Sequence, residues 1–350
     1  AKTNVECVKT LLAFKAIPDS DALNAAVKQR NAVIVGLLLK YKAIPHIDAL
    51  KKAVEQGSDS IVELLLRYRA YPVVAFKREV LRSPTPPVVM AVNTGNLKIL
   101  QLLVKYGERL DGTIEIGLSA NSAWSTNAEP VKVEKVEVKV DVKNGSSVER
   151  PVSVERPVVL KISGADLDGA SLLHCAAAGT STDVFDYVLA RTKNMVNAKN
   201  KLGNTPLFYA VQSGVSNIAQ RLLLNGADIN AKNKAGETPL LAAARSPNLP
   251  MLRFLVARRA ALFARNIAGE NALLVAAKHE RKENVEFLLG TGIAVAAKSE
   301  NGMTVLHWVA SWDRLDLVEK LVNKGLDVNA VSQNGWTPLM CALTLSPYQM

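Results

Sequence analysis

The chain has 350 residues, 49% hydrophobic and 21% charged, a balance that supports a sizeable core and excludes a disordered polymer. Lys and Arg number 43 against 32 Asp and Glu, a net charge of +11, and no uncharged apolar run nears the roughly 20 residues of a membrane helix, residues 32–39 being one of the longest. Cys7, Cys175 and Cys341 are too few and too scattered for a disulfide framework or a zinc site, so a reducing, intracellular and cytoplasmic setting is expected.

Residues 1–110 carry 17 basic and 9 acidic side chains and repeat with a period of 27. Leu38-Leu39-Lys40-Tyr41-Lys42-Ala43-Ile44-Pro45 returns as Leu65-Leu66-Arg67-Tyr68-Arg69-Ala70-Tyr71-Pro72. The earlier copy is Leu11-Leu12-Ala13-Phe14-Lys15-Ala16-Ile17-Pro18. Asp21-Ala22-Leu23 and Asp48-Ala49-Leu50 open the helices paired with these. A further unit spans about 86–107, after a connector at 73–85.

Residues 111–168 break the pattern and are slightly acidic, with 7 basic and 10 acidic side chains. Residues 136–143 alternate apolar and charged, the pattern of a half-buried strand, and Asn144-Gly145 offers a hairpin turn. Pro151 and Pro157 in the returning arm suit an edge strand. The expectation is a β-hairpin insertion, either folded back on its own solenoid or extended as an arm toward a partner.

Residues 169–350, with 19 basic and 13 acidic side chains, repeat every 33 residues. Gly203-Asn204-Thr205-Pro206-Leu207 recurs as Gly236-Glu237-Thr238-Pro239-Leu240, Gly269-Glu270-Asn271-Ala272-Leu273, Gly302-Met303-Thr304-Val305-Leu306 and Gly335-Trp336-Thr337-Pro338-Leu339. Thr caps a helix and Pro suits its first position. A second phrase, Asn225-Gly226-Ala227-Asp228-Ile229-Asn230 and Lys324-Gly325-Leu326-Asp327-Val328-Asn329, ends a second helix at glycine.

These two phrases at this period resemble the ankyrin repeat. The resemblance implies an all-α solenoid of helix-turn-helix units, with the units of 1–110 as degenerate copies lacking hairpins and 111–168 as the insertion. Residues 1–18 match only the second half of a unit and residues 335–350 only the first half, so a larger chain or complex is expected.

No phosphate-binding loop, CxxC pair, HExxH helix or GxSxG elbow occurs, so no enzyme activity, cofactor or metal is expected. His174-Cys175 invites a nucleophile hypothesis, but in the ankyrin family that histidine, like His307, braces the repeat. The family's partner-binding positions fall on Tyr209, Met303, Trp308, Trp312 and Trp336, predicting a solvent-facing aromatic patch near the C-terminal end. Cys175, Ala242, Val275 and Cys341 share the row of Tyr209 and Trp308. Lys199, Lys232, Arg265 and Lys298 recur at 33-residue spacing as a ladder on the hairpin tips, joined by Lys234. Asn200, Asn233 and Asn266 stand where the family often has Asp, so the tips are expected to be unusually basic. Asn230 and Asn329 resemble a site of asparagine hydroxylation.

The expected function is a protein–protein interaction scaffold or structural subunit, cytoskeletal in one version, binding a protein partner with an acidic segment. The alternatives are a regulatory or targeting part of a longer enzyme or channel, or an anionic partner on the basic tips. Nucleic acid is disfavoured, because no aromatic platform is interleaved with the tip cations.

Overall fold

A computed structural model gives the tertiary structure and describes residues 2–68, 87–106, 113–114, 169–312 and 314–343. Helix α1 (Lys2–Ala13) is followed by the pairs α2 (Ser20–Lys28) with α3 (Ala32–Lys40), α4 (Ile47–Glu55) with α5 (Asp59–Arg67), and α6 (Pro87–Asn93) with α7 (Leu97–Lys105). Beyond the insertion come α8 (Leu172–Ala178) with α9 (Thr182–Arg191), α10 (Pro206–Ser213) with α11 (Ser216–Leu224), and α12 (Pro239–Arg245) with α13 (Leu249–Ala257). The series closes with α14 (Ala272–Lys278) and α15 (Lys282–Leu289), α16 (Val305–Val309) and α17 (Leu315–Asn323), and α18 (Pro338–Leu343).

First helices pack on first helices from α2 through α18, and second helices form a row beside them. A seven-residue helix such as α8 is far below the length that holds in water alone. It persists because every one of its residues is buried. Local caps set where each helix begins. Asn31 Oδ1 accepts from the Ile34 amide at 3.1 Å, Asn96 Oδ1 from Ile99 at 3.0 Å and Asn271 Oδ1 from Leu274 at 3.0 Å. Pro206 and Pro239 start α10 and α12, where a missing amide hydrogen costs nothing.

Several second helices end on a left-handed residue, whereas α9 ends at Thr192 with φ of −129°. Gly226, Gly292 and Gly325 take φ of 86°, 78° and 83°, but Lys15, Lys42 and Arg259 adopt the same conformation at 64°, 67° and 61°. A side chain in that region costs about 1–2 kcal/mol. Lys42→Gly is therefore expected to raise stability by about 0.5–1 kcal/mol, glycine's greater unfolded-state freedom offsetting part of the relief, as read from the urea midpoint.

The two halves form one stack. Helix α6 packs on α8 and α7 on α9, and one apolar core runs from Leu12 to Leu326. A short antiparallel ladder, β1 (Thr113–Ile114) with β2 (Ala170–Ser171), brings the two ends of the insertion together beside α8. The hairpin expected at 136–157 and the connector at 73–85 lie outside the described residues.

Candidate partner-binding surface

The hairpin tips are joined unit to unit by the backbone. The amides of Lys234, Ile267, Glu300 and Gln333 donate to the carbonyls of Leu202, Ala235, Ala268 and Asn301 at 2.9–3.0 Å. The asparagines in place of Asp serve the same turn. Asn233 Oδ1 accepts from Ala235 and Glu237 at 2.9 Å, and Asn266 Oδ1 accepts from Ala268 and Glu270 at 3.0 and 2.9 Å. Being amides, they also donate. Asn200 Nδ2 reaches the Tyr209 hydroxyl at 2.8 Å, and Asn233 Nδ2 reaches Asn204 Oδ1 at 3.0 Å.

The cationic ladder exists as a physical chain. Lys199 Nζ donates to the Lys232 carbonyl at 2.9 Å, Lys232 Nζ to the Arg265 carbonyl at 3.4 Å, and Arg265 Nη1 to the Lys298 carbonyl at 3.1 Å. Each side chain stays exposed and is anchored on the next unit. Lys234 and Lys298 are also exposed. These cations therefore tie tip to tip as well as charging the edge, an acceptor pattern that no sequence motif announces.

The first-helix face differs from expectation. Cys175, Tyr209, Ala242 and Val275 are buried, because each of their short first helices is enclosed by its two neighbours and its own partner, and Cys341 is buried on α18 against α16. Tyr209 lies edge-on to His174 at 5.6 Å, its hydroxyl accepting from Asn200. The expected solvent-facing aromatic patch is likewise corrected in two members. Trp312 is only 7% exposed and belongs to the core, and Met303 is buried. Trp308 and Trp336, in consecutive units, remain half-buried, and the last helix beside them exposes Leu339 and Leu343.

Between these tryptophans and the insertion, the face is charged. Glu237 pairs with Arg245, and Glu270 with Lys278 at 2.8 Å, each pair spanning the length of one first helix. Desolvation by burial pulls the Arg245 guanidinium below its usual range, against the pull of Glu270. Burial, reinforced by Arg245, Lys278 and Arg281, lowers His279 to about 4. The ankyrin resemblance puts Glu237, Arg245, Glu270 and Lys278 on the inner face, but their pairing is not part of it. Its signal was a Glu before the helix cap and a cation eight residues on, in two successive units.

The two capping histidines are braces. His174 Nδ1 accepts from the Ser171 amide at 3.0 Å, so the proton sits on Nε2, which donates to the Asn204 carbonyl at 3.1 Å. His307 repeats this with Thr304 and the Trp336 carbonyl, both at 3.1 Å. Burial pushes the Cys175 thiol up to about 12, so it stays protonated beside a histidine already committed on both nitrogens. Among the described residues no cluster of three or more His, Cys, Asp or Glu is placed to hold a metal, and no helix is long and apolar enough to cross a membrane. Asn230 and Asn329 are both exposed. Asn230 Oδ1 accepts from the Ala261 amide at 2.9 Å, linking two units.

Stacked helix pairs, glycine-ended second helices and backbone-joined tips define a repeat solenoid of the protein–protein interaction class. The family model for ankyrin repeats matches in three copies, at residues 156–233, 214–299 and 292–350, which together cover more than half of the chain. The chain belongs to the ankyrin-repeat family. It is also similar to the poly [ADP-ribose] polymerase tankyrase of Caenorhabditis elegans, 42% identical over 77 residues, 22% of this chain and 3% of that protein.

Proposed function

We propose that this chain is a non-enzymatic scaffold that binds a protein partner on the first-helix face at its C-terminal end. The observation that carries this reading is the half-burial of Trp308 and Trp336 in consecutive units, while the same face is closed elsewhere by small, buried or ion-paired residues. Tryptophan contributes most to binding where a partner can finish its desolvation. The exposed tip cations Lys199, Lys232, Lys234, Arg265 and Lys298 favour a partner with an acidic segment and speed its encounter. The setting is cytoplasmic, with the scaffold working inside a larger assembly.

The test is a native pull-down with this chain and with Trp308→Ala/Trp336→Ala, read by mass spectrometry. A hot-spot pair of this kind is expected to cost on the order of 100-fold in affinity, removing the specific partners. Recovery of the same proteins by a folded double variant would place binding elsewhere. Trp312 is unsuited to this test, because truncating a core residue costs folding stability as well.

A second reading rests on the relative's name and its small overlap. The chain spans 3% of an enzyme, so the repeats would serve as the recognition segment of a longer catalytic protein. Sequencing the full transcript separates the two.

A further inference from the structure

The loops that leave the second helices of the first units display a repeated surface of exposed rings, isoleucines and cations. Phe14, Tyr41 and Tyr68 occupy equivalent positions at 27-residue spacing and are 83%, 43% and 43% exposed. Three residues beyond the first two, Ile17 and Ile44 are 92% and 79% exposed. Cations sit among them: Lys15, Lys40, Lys42 and Arg67 are all exposed. Lys15, Lys40 and Lys42 form no ion pair among the described residues. Of the acids nearby, Asp19 caps α2 at 2.7 Å and Asp48 lies 3.0 Å from His46, while Asp21 is exposed in the first turn of α2.

We propose that this edge docks on an anionic lipid bilayer, the isoleucines and the ring row entering the headgroup region while Lys15, Lys40 and Lys42 meet lipid phosphates. Three physical points favour a bilayer. The apolar side chains stand out from loops, so they suit a deformable phase better than a shaped protein pocket. Apolar tips flanked by lysine match the layering of an anionic interface, where each nearby cation strengthens partitioning by roughly fivefold. The rings belong to successive packed units, whose helices lie about 8–10 Å apart, too far for successive bases to stack on them, and isoleucine offers no stacking face. The proposal is independent of the tryptophan face.

Vesicle flotation tests it, with the chain mixed with vesicles of phosphatidylcholine alone or of phosphatidylcholine and phosphatidylserine. The chain is expected to float with the mixed vesicles and not with phosphatidylcholine alone. Ile17→Ser/Ile44→Ser is expected to lower partitioning by about tenfold or more. Lys15→Gln/Lys42→Gln is expected to lower it comparably and to flatten its dependence on salt. Lys324→Gln, an exposed lysine at the end of α17, serves as the control and is expected to float as the parent does. Equal flotation with both vesicle types overturns the proposal. So does full binding by the isoleucine variant, which would reduce the effect to diffuse attraction by net charge. Tighter binding of a single-stranded oligothymidylate, lost in the same variants, would overturn it in favour of nucleic acid.

Discussion

Gly203→Ala is expected to destabilise the array by about 3–4 kcal/mol, and Gly335→Ala, the same change four units on, by only about 1–2. Both glycines are left-handed, with φ of 80° and 78°, so both variants carry the same backbone strain. The surroundings differ. A Cβ on Gly203 would lie 2.8 Å from the Lys234 amide nitrogen and 3.1 Å from the Asn233 Cα. That amide donates to the Leu202 carbonyl, so the added methyl also breaks the bond joining two tips. Among the described residues, a Cβ on Gly335 meets nothing within 4 Å. Urea melts of the two variants isolate the cost of close tip-to-tip approach. Equal losses would mean that strain alone matters. Because stability in a solenoid is a sum of unit and interface contributions, the Gly203 change should also separate the unfolding of the units on either side of the 203–234 tip contact.

Acidification is expected to destabilise the array as pH falls from 6.5 toward 4. His174 falls from 6.5 to about 4 on folding, chiefly through burial. The unfolded chain therefore binds more protons, so stability is full above pH 6.5 and is lost as pH falls toward 4. For His174 the loss is on the order of 2–3 kcal/mol near pH 4.5. The geometry gives the reason, since a proton on Nδ1 would point at the Ser171 amide that now donates to it. His279, also lowered to about 4, moves stability the same way, with solvent screening reducing its share. Burial lowers His307 as well. Urea midpoints between pH 7 and 4.5 check this. A flat profile down to pH 5 would contradict the neutral brace at His174.

Much of the architecture was readable because the repeat writes its geometry into local chemistry. Pro206 and Pro239 begin helices, and Gly203, Gly236, Gly269, Gly302 and Gly335 are all left-handed. The N-terminal units were recognisable although Lys15 and Lys42 replace the usual glycine, since the apolar spacing before them was intact. The candidate surface was less accessible. Tyr209 and Trp312 occupy positions that the repeat pattern assigns to a partner face, yet both are buried. The ion pairs of Glu237 and Glu270 involve residues eight apart, a spacing that means little until a helix is known to lie between them.

Period, caps and glycine turns depend on each residue's own backbone preference and on a stacking rule common to all units, so the amino-acid order was enough to specify them. Exposure and partnership depend on what the adjoining unit sets opposite a side chain. The carbonyls that receive Lys199, Lys232 and Arg265 lie 33 residues away, and every residue has a carbonyl, so residue type carries no mark of that choice. The packing of neighbouring units made it. The same packing enclosed Trp312 in the core and left Trp308 and Trp336 half-buried.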